Sequence, residues 1–408
     1  MLSGDRPKHL LALVSCAGIL ALISFALWPV FLTKLGQEWG LTNTDIGWIS
    51  GAYFFGYLMA TPALVGLTDR VDARLVFLGG CAFSSVGCLL FATSAVDFSS
   101  AAMAWMLVGA GLAGTYMPGL QILNARLDDS ARVRAVPWYT ACFGIGTGGS
   151  FAVMGVLLAY ADYRIAALVG SGGACIAAFL VLFFVQPHSS LSFSGALKKR
   201  HPLDLRPAFQ KPKALGYIFA YGAHTYELFA YRTWSFALLI FLAGQADEPL
   251  GIGVVTTIVS LITVTGLLAS LAGAHICLVY GRHRIITLIG AAAVGVSCLA
   301  AFSLDGPIWF AIAGLWIYNV FIMLDSGALT TGTVEAGDAH DRGALLAVHS
   351  MIGFGGGALG GPVVGYVLDR TGGVGAMDAW FYAVLSMGAG SAIVFFVQRY
   401  FWQKAPKH

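Results

Sequence analysis

His224, Glu227 and Arg232 fall in one stretch, YGAHTYELFAYRTW (221–234), inside an otherwise apolar and aromatic run from Ala214 to Ala243. An arginine stays charged and presents a planar fork that matches a carboxylate. A buried carboxyl keeps its proton to higher pH than a solvated one, and an imidazole changes charge near neutrality. Together these side chains suit the capture of an anionic group and the carriage of a proton.

On a helix of about 100° per residue, with His224 at 0°, Ser235 falls at roughly 20°, Leu228 at 40°, Tyr221 at 60° and Arg232 at 80°. Tyr231 lies at roughly 340° and Glu227 at roughly 300° on the same scale. This polar and aromatic sector must face the protein interior, because a central Arg in lipid costs about 2.5–3.5 kcal/mol on the insertion scale. Glu227 and Arg232 are about 140° apart round the helix, so they are not the neighbouring i, i+4 pair. Each needs a partner on another helix, in water or in a bound molecule. Asp325, in MLDSGALTTG, is one candidate, displaced from Arg232 by about 10 Å along the helix axes.

The elements that hold these residues follow from composition. Of 408 residues 58% are hydrophobic and 11% charged, with a mean hydropathy of +0.79. A soluble domain carries about 25% charged residues, so lipid must cover this surface. Apolar segments about 20 residues long recur, enough to cross a core of about 30 Å. The expected spans are 10–33, 44–67, 74–95, 99–124, 136–160, 163–185, 214–243, 249–278, 284–303, 307–332, 344–368 and 376–401. The alternating ten-residue pattern of a membrane barrel is missing. The expectation is an all-α membrane protein of twelve transmembrane helices. The first span runs on past Arg6 and Lys8 to Leu32 without a small-residue cleavage site, longer than a signal-peptide core of 7–15 residues.

With both termini cytosolic, 19 of the 23 Lys and Arg fall on the cytosolic side, against Lys34, Arg164 and Arg370 outside and Arg232 within the membrane. That is the bias of the positive-inside rule. The net charge of +3 therefore reports orientation and gives no reason to expect nucleic acid. Seven cysteines, all inside expected spans and without C-x-x-C, make neither a disulfide framework nor a zinc site.

Residues 186–213, QPHSSLSFSGALKKRHPLDLRPAFQKPK, form the one long connection, basic and proline-bearing. It divides the chain into a six-helix bundle at 1–185 and another at 214–408. A shift of 210 residues sets Asp128-x-x-x-Arg132 on Asp338-x-x-x-Arg342, Thr140 on Ser350, Gly146 on Gly356 and Arg74 on Arg284. The common offset marks an internal repeat.

After the second span, GLTDRVDAR (66–74) resembles the G-x-L-x-D-R-x-G-R signature of the major facilitator superfamily, with Asp69, Arg70 and Arg74 in its charged places and Asp72 where glycine is usual. The second-half copy, AHICLVYGRHR, keeps Gly281, Arg282 and Arg284 but has Val279 in place of the acid. Trp105, before Gly109, stands where the fourth span of the family carries arginine. Gly357-Ala-Leu-Gly-Gly361-Pro362 matches its G-x-x-x-G-P element, in the eleventh span where the fifth is usual. The resemblance implies a secondary transporter of two six-helix bundles around a cavity lined by spans 1, 4, 7 and 10. It further implies that Asp69, Arg70, Arg74, Asp128, Arg132, Asp338 and Arg342 form a cytosolic latch. The competing reading of these residues is solvated loop charge contributing about 0–1 kcal/mol per pair.

Gly144-Ile-Gly-Thr-Gly-Gly149 satisfies G-x-G-x-x-G, but a dinucleotide site needs a preceding strand; inside a span it reads as close helix packing. The clustered glycines GFGGGALGG of the eleventh span read the same way. No Walker A sequence, metal cluster or hydrolase triad is present, so neither an enzyme nor a cofactor is expected. The substrate-facing set is then Arg232, Tyr221, His224, Tyr231, Tyr116, Gln121 and Asn319, with Glu227 and Asp325 as proton carriers. Against it stands a structural role, in which the buried ions pair between helices and fix the fold. His275 and His349 read as packing residues near helix ends. The expected function is alternating-access transport of a small organic anion with a proton, by a monomer in the plasma membrane, or the inner membrane of a Gram-negative cell. Efflux of hydrophobic or cationic compounds is the alternative, opposed by the charge of Arg232. A receptor or scaffold that moves nothing is the alternative of another class.

Overall fold

A computed structural model describes residues 6–68, 70–188, 205–338 and 341–404, without the side chains of Arg6, Asp129, Val133, Arg134 and Arg342. Among the described residues all regular structure is helical. The elements are α1 (Arg6–Ala21), α2 (Leu27–Glu38), α3 (Asn43–Leu67), α4 (Ala73–Ser94), α5 (Phe98–Arg126), α6 (Asp129–Tyr160), α7 (Tyr163–Phe184) and the short α8 (Arg206–Phe209). They continue with α9 (Pro212–Gln245), α10 (Ile252–Tyr280), α11 (Arg282–Ser303), α12 (Ile308–Met323), α13 (Ser326–Glu335), α14 (Arg342–Thr371) and α15 (Met377–Lys404). Among the described residues ten spans are long and apolar enough to cross a membrane, α12 and α13 counting together as one. The expected spans outside that set are the first and the seventh: α1 is short, and the 34-residue α9 carries the ionisable stretch.

Helix starts in the first half are written in aspartates. Asp72, Asp97, Asp128 and Asp162 stand before α4, α5, α6 and α7, and each accepts a hydrogen bond from a first-turn backbone N–H. Such caps satisfy donors that have no partner within the helix.

Two expected spans are not continuous. The span expected at 10–33 breaks after Ala21 and resumes at Leu27. Pro29 lacks an N–H, and its ring would collide with the carbonyl of Phe25 in an unbroken helix. The break runs through short i−3 bonds, Leu22 N–H to the Ile19 carbonyl (3.1 Å) and Leu27 N–H to that of Ser24 (2.9 Å). Ser150 of α6 satisfies what remains: its Oγ accepts from Ala26 N–H at 2.8 Å and donates to the Ile23 carbonyl at 2.6 Å.

The span expected at 307–332 is likewise divided, by Leu324 and Asp325. Asp and Ser compete for backbone hydrogen bonds and Gly327 weakens the helix further. The Leu324 carbonyl lies against Gly273 of α10, where any Cβ would overlap it. The discontinuity places Asp325 at a helix junction.

The chain forms two compact units, Met1–Phe31 with Ala52–Lys198, and Leu32–Gly51 with Lys199–His408. In the first, Val14, Phe77, Cys81, Ile122, Leu123, Tyr139 and Val181 form a buried apolar core. Gly80 of α4 and Gly114 of α5 oppose one another so closely that a Cβ on either would strike the other's backbone.

In the second unit α9 is the central helix. The expected glycine face of α14 is used here: Cβ atoms at Gly356 and Gly360 would overlap the carbonyls of Gly222 and Tyr226 of α9. Gly390 of α15 meets Ala223 and Glu227 in the same manner. Small residues let helix backbones approach where lipid supplies no hydrophobic drive. The unit also holds the first turns of α3, where Asp369 of α14 accepts four hydrogen bonds. The donors are the backbone N–H (2.9 Å) and Nδ2 (2.8 Å) of Asn43, and the N–H (2.8 Å) and Oγ1 (2.6 Å) of Thr44.

Candidate functional site

The ionisable stretch lies at the middle of α9, where residues 227–239 are buried without interruption. The helix is enclosed on all sides, so its polar residues are shared among different neighbours. Glu227 is 1% exposed. Its Oε1 accepts from the Tyr318 hydroxyl of α12 at 2.6 Å, and its Oε2 from Ser391 Oγ of α15 at 2.6 Å. A hydroxyl donates or accepts. Two such partners satisfy the carboxylate, and one can reverse to accept when the carboxyl is protonated.

His224, one turn earlier, meets Asp325 at the junction of α12 and α13, with Nδ1 2.8 Å from Oδ1. The separation is that of an ion pair, while the orientation falls outside hydrogen-bond geometry. The imidazole is 2% exposed, and its Nε2 has no hydrogen-bond partner among the described residues. Tyr221 stacks on His224 (ring centroids 5.7 Å apart) and on His349 of α14 (3.8 Å). Gly353 makes room for that stack, because a Cβ there would collide with the Tyr221 ring. His349 is fixed by the hydroxyls of Thr333 (3.0 Å, to Nδ1) and Thr330 (3.2 Å, to Nε2).

Arg232 is 6% exposed, and its guanidinium carbon stands 5.8 Å from the Phe229 ring centroid. Tyr231 donates to the Leu315 carbonyl (2.9 Å), and Asn319 Nδ2 to the Ile262 carbonyl (2.8 Å). Both are committed to neighbouring backbones. In the first unit Tyr116 packs with Tyr139 and Phe143 around a recess of about 10 Å³, and Gln121 is exposed. Of the residues singled out in the sequence, the structure therefore brings together Tyr221, His224, Glu227 and Asp325. Tyr318, Ser391 and His349 join them. The first two carried no sequence signal, and His349 read as packing.

The charged ends of the helices are arranged as follows. Asp69 and the Arg342 side chain lie outside the described residues, and Arg70 is exposed. Arg74 Nη2 donates to the Leu182 carbonyl (2.7 Å). Asp128 caps α6, and Arg132 Nη2 donates to the Leu127 carbonyl (3.0 Å). Lys211 meets Asp338 (2.6 Å) and Asp341 (3.1 Å). Asp72, which replaces the usual glycine, accepts from Arg126 Nη2 with both oxygens (2.9 and 2.8 Å) and from His188 N–H (2.8 Å). In the second unit Arg282 grips Glu335 with both terminal nitrogens.

No curated protein sequence matches the chain. Its fold is similar to that of a bacterial homolog of the human lysosomal transporter Spinster, solved in an inward-facing, unoccupied conformation, with a TM-score of 0.79 and 13% identity over 100% of both chains. It is also similar to the nucleoside transporter NupG, with a TM-score of 0.77 and 16% identity, covering 97% of this chain and 99% of that one. The family model of the Major Facilitator Superfamily matches residues 13–360. The chain therefore belongs to the major facilitator superfamily, as a multi-pass membrane transporter and not an enzyme.

Proposed function

We propose that this protein is a proton-coupled secondary transporter of small organic anions, with twelve spans and both termini in the cytosol, working as a monomer in the plasma membrane by alternating access. The observation that carries the proton coupling is the arrangement on α9. Glu227 is held by two reversible hydroxyls, one turn from a His224–Asp325 pair whose outer ring nitrogen is buried without a hydrogen-bond partner among the described residues. Intramembrane ionisable groups mark ion and substrate paths as a rule. Arg232 supports an anionic cargo, since its buried charge favours a carboxylate and repels amines. The clustering of Lys and Arg on one side supports the orientation.

Counterflow and uptake in proteoliposomes test the reading with a panel of small carboxylates, with and without an imposed pH gradient. Carboxylate flux should accelerate with the gradient, and Arg232→Ala should reduce it at least about tenfold in a protein that still folds. Flux indifferent to both would refute the assignment.

A further inference from the structure

At the end of the second unit where α11 begins and α15 finishes, a groove of about 350 Å³ is lined by His283, Arg284, Thr287, Leu288, Arg399 and Trp402. Arg284 and Arg399 come from different helices and are both exposed. Among the described residues no carboxylate lies within ion-pair distance of either. Two like charges are thus held in one groove with no carboxylate among the described residues between them. Lys213 adds a third, its Nζ 5.6 Å from the Trp402 ring centroid.

The groove is built rather than incidental. The His283 ring stacks on Trp402 with centroids 4.0 Å apart and planes 3° from parallel. His283 Nδ1 lies 3.2 Å from Gln398 Oε1, and Gln398 Nε2 donates to the Gly216 carbonyl at 3.0 Å. Gln398 is 3% exposed, so α9, α11 and α15 are tied together beneath the groove. One turn deeper along each helix the surface turns apolar and open: Leu288 is 55% exposed and Phe396 66%. A basic rim with an aromatic side chain above exposed apolar flanks is what a phospholipid at a membrane surface meets best.

We propose that this groove binds an anionic phospholipid, with the phosphate between Arg284 and Arg399, the headgroup against Trp402 and an acyl chain along Leu288 and Phe396. A free phosphate would use the same arginines but not the apolar flanks, which is why the lipid is the occupant chosen. The site is independent of the cargo and of His224, Glu227 and Arg232.

Native mass spectrometry of the purified full chain, titrated with phosphatidylglycerol or phosphatidylcholine, tests it. Each basic residue at an anionic surface contributes about 1 kcal/mol, so the wild type should hold phosphatidylglycerol at least about tenfold more tightly. Arg284→Gln/Arg399→Gln should bring that binding to the phosphatidylcholine level, with an unchanged melting temperature in phosphatidylcholine. Equal affinity of the wild type for both lipids overturns the proposal, and so does a preference that survives the double substitution. A measurement on the wild type alone guards against a variant that fails to fold. Millimolar inorganic phosphate should leave phosphatidylglycerol bound; its displacement would assign the groove to a soluble phosphate instead.

Discussion

Arg126, at the end of α5, closes on both carboxylate oxygens of Asp72, in front of α4, and 210 residues later the chain repeats this bridge with the charges exchanged. Position 72 shifts to 282, which is Arg282, and position 126 shifts to 336, next to Glu335, its partner. The two units thus share a bridge at the same place in their topology, acid first in one and base first in the other. What the repeat preserves is the complementarity of the pair, not the sign at either position.

The exchange makes a direct prediction. Arg126→Ala should cost about 1–3 kcal/mol, the price of leaving a hydrogen-bonded, mostly buried charge without its partner. Asp72→Arg should destabilise likewise, and Asp72→Arg/Arg126→Asp should recover about half of that loss or more. Thermal unfolding in detergent reads all three; a double variant no better than the single one would deny that charge pairing is what matters.

Acid should reach the same bridge. Burial raises the Asp72 carboxyl, but hydrogen bonds from Arg126, His188 N–H and Arg74 N–H outweigh it and hold the group below its ordinary 3.8. A carboxyl depressed by folding stabilises the folded state above the unfolded pKa, and that contribution fades as pH falls through the folded one. The wild-type melting temperature should therefore drop on acidification below about pH 4. Asp72→Asn should start lower at neutral pH and drop less over that window. Parallel acid slopes would count against the bridge.

Glu227→Gln retains the shape and the two hydroxyl contacts but cannot lose a proton. It should keep cargo exchange in counterflow while abolishing acceleration by a pH gradient. Tyr318→Phe and Ser391→Ala each remove one donor from a buried carboxylate, with an expected loss of about 1–3 kcal/mol in thermal unfolding. Gradient-driven uptake that persists in Glu227→Gln would exclude this residue as the proton carrier.

Ser150→Ala removes both hydrogen bonds that this α6 side chain makes with the break in the first span. Ala26 N–H and the Ile23 carbonyl are left buried without those partners, costing about 1–3 kcal/mol. Ser150→Ala should therefore melt lower than Thr140→Ala, whose hydroxyl is exposed and bonds within its own helix. Equal melting temperatures would mean that the break satisfies itself.

Gly356→Ala should force α14 away from α9, because the new methyl meets the Gly222 carbonyl and not a yielding side chain. Overpacking of this kind costs about 1–3 kcal/mol. Gly355→Ala, one position along and facing open space, is the control and should be nearly neutral. A comparable melting-temperature loss in both would dismiss the crossing as the cause.

From the sequence alone came what depends on bulk composition and on neighbours along the chain. Too few charges to face water dictated lipid, and the apolar runs dictated helices. Pro29 and the Asp-Ser-Gly at 325–327 were legible signs of weakness, yet each sat in a run apolar enough to read as one span. The ionisable residues of α9 were visible because charge is rare in such a run. Their partners were not. Tyr318 and Ser391 lie 91 and 164 residues from Glu227, and a hydroxyl in a membrane helix is common enough to carry no mark of its own. Only packing decided that these two reach one carboxylate and that His224 turns to Asp325. Helix periodicity fixes a side chain's direction about its own axis, whereas the identity of what it meets depends on which helix is laid alongside.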